Sequence, residues 1–194
     1  LFVNKDLIQM DQGDLSFTNN GIEGSLGYRV SRRAVKAMIN GQKVELMIDL
    51  KPALSLDKLK ARIERELTSM SLSRDAVTPG KMKELLRKFM PAELISPFLK
   101  SNQDLSISNL SDKLKDWRFK ISSYTGYERA VVTAGGVSTE DIVAKTMRSK
   151  INPHVFFAGE VMDVDCDTGG YNLQVAFSTG ALAGISAAKS QNQR

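Results

Sequence analysis

The stretch from Val155 to Gly184 constrains the fold more than any other part of the chain. A short apolar run, Val155-Phe156-Phe157-Ala158, ends in Gly159-Glu160; Asp163, Asp165 and Asp167 follow, then a Gly-Gly pair and a long apolar segment of small residues. That order predicts a buried strand over 155–158, a carboxylate at its C-terminal edge, a tight loop and a buried helix over about 171–188. Open α/β sheets place ligands at the carboxyl ends of their strands, so the stretch is expected to form half of a ligand site.

Upstream the pattern is different. Phe2 to Met10 and Leu15 to Thr18 read as short strands around the turn residues Asp11-Gln12-Gly13-Asp14. A helix is expected from about Leu26 to Ile39, with Val30, Ala34, Val35 and Met38 on one face. Lys43 to Leu50 alternates as a half-buried strand does, with Val44, Leu46, Ile48 and Leu50 on one face. Helical spacing then dominates from Ser55, a plausible N-cap, to Trp117; Thr78-Pro79 opens a second helix, Pro91 precedes a third and Asn109 a fourth. Trp117, Phe119 and Ile121 alternate with polar residues. After Tyr124-Thr125-Gly126 glycine becomes dense and helical charge pairs vanish. A domain boundary is expected near residue 124, with strands over about 1–50 and helices over about 55–117 before it, and 125–194 as a separate segment.

Residue counts narrow the chemistry. The single cysteine, Cys166, excludes an internal disulfide, and the single histidine, His154, leaves no imidazole or thiolate cluster for a metal. A Ser-His-Asp triad would have to use His154, which reads better as an exposed loop residue. Asp163, Asp165 and Asp167 resemble the start of an EF-hand loop, but the sixth and twelfth positions are Thr168 and Gln174 rather than glycine and glutamate. No metal site is expected. Net charge is +5, split as +6 over residues 1–125 and −1 over 126–194. The basic residues mostly interleave with acids on helix faces, so nucleic acid is not the expected partner. No apolar run approaches the ~18–20 residues that span a bilayer, and no signal peptide opens the chain; a cytoplasmic location is expected, with no membrane partner. The start at Leu1 rather than Met suggests a fragment, an excised domain or a processed product.

Two constellations carry the chemistry. Ala130-Val131-Val132-Thr133 is expected as a buried strand, after which Ala134-Gly135-Gly136 lets the backbone turn sharply; Ser138 can cap the following turn, with Asp141 third after it. The second centres on Glu160, a carboxylate able to accept hydrogen bonds from sugar or ribityl hydroxyls, beside Gly159, which keeps the approach free of a side chain. Downstream, Thr168-Gly169-Gly170 leads into a helix starting near Tyr171-Asn172. Its first amides lie unpaired at the positive end of the helix dipole, which suits an anionic ring edge such as that of a reduced flavin.

Together, VVTAGGVS, KTMRSK and FFAGEVMDVDCDTGGYNLQVAFSTGALAG, between Ala130 and Gly184, resemble the C-terminal end of bacterial NAD(P)/FAD-dependent oxidoreductases of the aminoacetone oxidase (BaiN-like) type. A thinner echo covers Leu15 to Val35, where SFTNNGIEGSL is similar to the FTHxGISGP segment of that family's insertion domain. The resemblance implies a mixed α+β and α/β protein. An insertion domain, part β-barrel-like and part helical, would occupy 1–124, and the C-terminal segment of a two-dinucleotide-binding-type FAD domain would occupy 125–194. It implies that Gly159 and Glu160, with Asp163, sit at the ribityl or pyrophosphate region of FAD. Gly169, Gly170, Tyr171, Asn172 and Leu173 would line the isoalloxazine ring, with Thr133, Ala134, Gly135 and Gly136 near its other side. NAD(P)H would be the electron donor and a small molecule the substrate, and no catalytic acid or base is singled out.

Two departures from the family pattern stand out. Cys166 replaces the glycine of the usual DVDG, which matters if that position needs a positive φ. Asn19 or Asn20 stands where the family has a histidine, and Glu23-Gly24-Ser25 replaces its Ser-Gly-Pro. The family's N-terminal G-x-G-x-x-G is absent; Gly21 to Gly27 has the wrong spacing. The chain therefore reads as the flavin-ring half of an FAD site whose expected partner is an N-terminal FAD-domain half. Alone it is expected to be inactive. The alternative is a non-catalytic module whose basic helical part contacts RNA or protein.

Overall fold

A computed structural model describes residues 1–19, 21–74 and 77–191. Asn20, one of the two residues at the histidine position, lies outside them. The chain divides into two compact units, one of residues 1–12 and 42–121, the other of residues 13–41 and 122–194. One crossing between the units, at 121/122, falls beside the boundary expected near 124. The segment 13–41 groups with the C-terminal residues instead of with the rest of 1–124.

The first unit is a four-stranded antiparallel sheet with helices. Its strands are β1 (Phe2–Val3), β2 (Asp6–Leu7), β5 (Val44–Ile48) and β6 (Trp117–Ile121), in the order β2-β1-β5-β6. The alternation in β5 and β6 sets their register: Val44 faces Ile121, Leu46 faces Phe119 and Ile48 faces Trp117. A barrel-like arrangement of residues 1–50 is not formed among the described residues. β1 and β2 hold two residues each, and the hairpin of β3 (Ser16–Thr18) and β4 (Gly21–Glu23) pairs only with itself.

Helix α2 (Leu56–Ser69) starts where Ser55 accepts from the Lys58 amide, and α3 (Pro79–Leu86) where Thr78 accepts from the Lys81 amide, both at 3.4 Å. With α4 (Ala92–Ser101) and α5 (Leu110–Lys115) they bury Leu59, Leu85, Leu86, Phe98, Leu110 and Leu114. Trp117, the first residue of β6, closes this core: its ring meets Phe98 edge-on at 5.2 Å, and its Nε1 donates to Ser101 Oγ at 2.8 Å.

In the second unit, α1 (Ser25–Ile39) buries Gly27, Val30, Ala34 and Ala37, so the buried face is rotated toward Ala37 from the expected one. The hairpin of β7 (Ile142–Val143) and β8 (Arg148–Ser149) packs under α6 (Tyr171–Gln191). Ile142, Met147, Met162 and Ala183 form the core, flanked by Val137, Phe156, Phe157, Val175 and Leu182. Two expected strands are corrected here. Residues 130–133 are irregular and largely exposed, with Val131 64% exposed, and 155–158 contribute only a single bridge, Arg148 to Phe156. A strand extends only as far as a neighbour completes its ladder: 155–158 meets β8 at that one bridge, with the Ser149 amide donating to the Val155 carbonyl and Phe157 to Met147, and 130–133 pairs with no strand among the described residues.

Candidate functional site

The segment after Ala158 runs along the first turns of α6. Gly159, at φ 68°, opens a 3₁₀ turn over Gly159–Val161. Its amide donates to Thr179 Oγ1 at 2.9 Å, and a Cβ built on it would lie 3.6 Å from the Ala176 methyl. Further on, Asn172 Oδ1 accepts from the Cys166 amide at 2.8 Å, while its Nδ2 donates to the Cys166 carbonyl at 2.9 Å. The run from Gly159 to Cys166 is thus pinned at Thr179 and again at Asn172, antiparallel to the helix. Thr179 and this use of Asn172 carry no periodic signal in the sequence.

The two constellations read separately in the sequence meet here. Thr133 donates to Glu160 Oε1 twice, from its amide at 2.7 Å and from its hydroxyl at 3.1 Å. Val137 donates to the Val161 carbonyl at 2.9 Å, and Asp163 donates back to the Val137 carbonyl at 2.8 Å. Gly136 makes this seam possible: at φ 145°, a Cβ there would lie 2.5 Å from the Val161 oxygen. Gly135 (φ 97°) also takes a left-handed backbone, but with open space around it. Ala134 and Gly135 are exposed on the turn.

At the start of α6, Gly169 (φ 145°) and Gly170 (φ 87°) deliver the chain into the helix, whose first i→i−4 bond runs from Gln174 to Gly170 at 3.0 Å. The amides of Tyr171, Asn172 and Leu173 precede that bond and have no partner within the helix. Tyr171 and Leu173 are exposed, as are Glu160 and Asp163. Glu160 therefore lies on a strip pinned to the same helix whose N-terminus carries the glycine pair. The side-chain amide of Asn172 is engaged by the Cys166 backbone, while its own backbone amide stands with those of Tyr171 and Leu173.

Cys166 itself is not among the left-handed residues, so its replacement of glycine imposes no φ strain. Asp165 pairs with Arg32 of α1 at 2.5 Å, with the carboxylate side chain 11% exposed. The aspartates of this loop are thereby separated in role: Asp165 is engaged, whereas Asp163 is exposed and serves the seam through its backbone. Among the described residues no helix is long and apolar enough to cross a membrane.

Residues 8–186 match the model of the HI0933-like protein Rossmann domain. The chain is 27% identical to a 3-dehydro-bile acid delta(4,6)-reductase of Clostridium scindens, over 96% of its own length and 47% of the relative's. It is 30% identical to a ribosomal RNA dihydrouridine synthase of Escherichia coli, over 86% of the chain and 40% of that protein. Identity to the corresponding enzyme of Haemophilus influenzae is 32%, over 89% of the chain and 41% of the relative. The chain thus spans less than half the length of these relatives. With the family model covering nearly all of its residues, the chain belongs to the HI0933-like Rossmann domain family, a Rossmann-like α/β class with mixed helices and sheets.

Proposed function

We propose that the chain carries the flavin-ring end of an FAD site in a BaiN-like flavoprotein oxidoreductase. The observation that carries this reading is the placement of the Glu160 carboxylate on a strip pinned along α6, whose N-terminus offers unpaired amides behind Gly169-Gly170. The donor set fits such a group. A carboxylate oxygen suits a ribityl hydroxyl, and helix-end amides suit the electron-rich edge of a reduced ring. Glycines at 169 and 170 add no side chain in front of those amides.

The flavin would supply the transfer of two electrons, which no side chain of this chain can. The residues of the chain bind and orient: Glu160 accepts from a hydroxyl, the backbone amides of Tyr171, Asn172 and Leu173 donate to negative charge, and the open turn at Gly135 admits a flat ring. Binding of the ADP end calls for a glycine-rich dinucleotide loop, absent from these 194 residues, so a FAD-domain half of that kind is the proposed partner. The regions over 1–12 and 42–121 serve as the insertion domain, and NAD(P)H as the electron donor.

The relatives' names describe two reductions, one of a bile acid and one yielding dihydrouridine in ribosomal RNA. Reduction of a carbon–carbon double bond activated by a carbonyl is the chemistry common to both and is the proposed reaction. A small unsaturated ketone is the first substrate class. A second reading, favoured by the two dihydrouridine synthases and by the +6 charge over residues 1–125, makes the substrate a uridine in RNA. The test is to purify the full-length protein, record its flavin absorption, and follow NAD(P)H oxidation with an unsaturated steroid ketone and with a uridine-containing RNA transcript. Absence of a flavin band after incubation with FAD refutes the reading; turnover of only one substrate selects between the two.

A further inference from the structure

Resting on the flavin reading, we infer that Thr133 is a positioning residue for Glu160, fixing one carboxylate oxygen so that the other faces the ligand. Both donors of Thr133 converge on Oε1, across 27 positions of chain. Among the described residues Oε2 has no partner. The carboxylate is exposed, so without Thr133 it would sample several rotamers and present either oxygen.

The pair is not needed to hold the two loops together. The reciprocal bonds of Val137 with Val161 and Asp163 already do that through the backbone, and Gly136 lets them approach. The contribution left to Thr133 is the direction of the carboxylate. Its amide and hydroxyl together define a plane for Oε1, and Oε2 then accepts a ligand hydroxyl without first paying for a rotamer change. Thr133 thus acts on the ligand through Glu160 and does not itself line the ring.

Four variants of the full-length protein test this by FAD titration: Thr133→Val, Thr133→Ser, Glu160→Gln and the Val/Gln double variant. Loss of one hydrogen bond to a charged group predicts that Thr133→Val weakens FAD binding about three- to tenfold, and that Thr133→Ser restores it to within about twofold. The double variant should bind FAD no more than about twofold more weakly than Glu160→Gln alone. Additive losses, or failure of serine to rescue, overturn the inference while leaving the flavin reading intact. A wild-type protein that binds no FAD overturns the flavin reading and the ligand half of the inference together. The contact itself is checked without flavin: Glu160→Ala should speed exchange of the Thr133 amide proton at least about tenfold, and unchanged exchange refutes the contact.

Discussion

Asn172 holds both backbone polar groups of Cys166, accepting from its amide at 2.8 Å and donating to its carbonyl at 2.9 Å. The side-chain amide acts as a one-residue strand partner, satisfying a loop that has no ladder of its own. Asn172→Ala should therefore lose about 1–3 kcal/mol of stability in chemical denaturation, since two partly buried backbone groups are left unpaired. Asn172→Asp keeps the acceptor and loses the donor, and should fall between the two. Equal stability of all three proteins would show that water replaces the clasp.

Gly136 and Gly135 make a matched pair. Both have positive φ, but only at Gly136 would a Cβ collide with backbone. Gly135→Ala should cost about 1 kcal/mol, the left-handed penalty alone. Gly136→Ala should cost more, about 2–4 kcal/mol, because the seam to Val161 must open as well. Urea denaturation midpoints rank the two; an equal loss would mean that the seam is soft.

Cys166→Gly places at this position the glycine of the pattern the chain resembles. Because Cys166 does not occupy left-handed backbone, the change relieves no strain and adds chain entropy in the unfolded state. A loss of about 0.5–1 kcal/mol is expected. A gain in stability would show that the loop prefers a conformation cysteine prevents.

In the first unit, Trp117→Phe removes the Nε1 bond to Ser101 and part of the contact with Phe98. A loss of about 1–3 kcal/mol is expected, against about 3–5 kcal/mol for Trp117→Ala. Thermal melts followed by tryptophan-independent circular dichroism distinguish them. A fully buried ring that tolerated either change would contradict the packing.

Much of this fold is legible in the residues themselves. Ser55 and Thr78 announce their helices by the chemistry of a cap, and the alternation through Trp117, Phe119 and Ile121 fixes a face of β6. Local rules fail where a partner decides. The runs 130–133 and 155–158 have strand composition, yet composition says nothing about whether a neighbour exists to pair with them. The site divides the same way. Glu160 and the glycines stand out by type and order, whereas the bond from Thr133 joins residues 27 apart and leaves no spacing to read. The Asn172 clasp is hidden for the same reason, since an asparagine beside a helix start looks like a cap in sequence.

The division of the chain, with residues 13–41 set between two parts of the first unit, has a consequence for how the protein can be made or cut. The local hairpin with β2 aside, β1 cannot join its sheet until β5 exists, because Phe2 pairs with Glu45 and Val3 with Val44. During synthesis residues 1–12 must be held in reserve while the intervening hairpin and helix emerge, which raises the entropic cost of closing the sheet. Proteolytic scission between Gly41 and Gln42 would leave β1 held to β5 by the two pairings Phe2–Glu45 and Val3–Val44, and their loss would bare the edge of β5 to any passing chain. Residues 1–12, made before the rest of their sheet, are thus among the last parts of it to be secured.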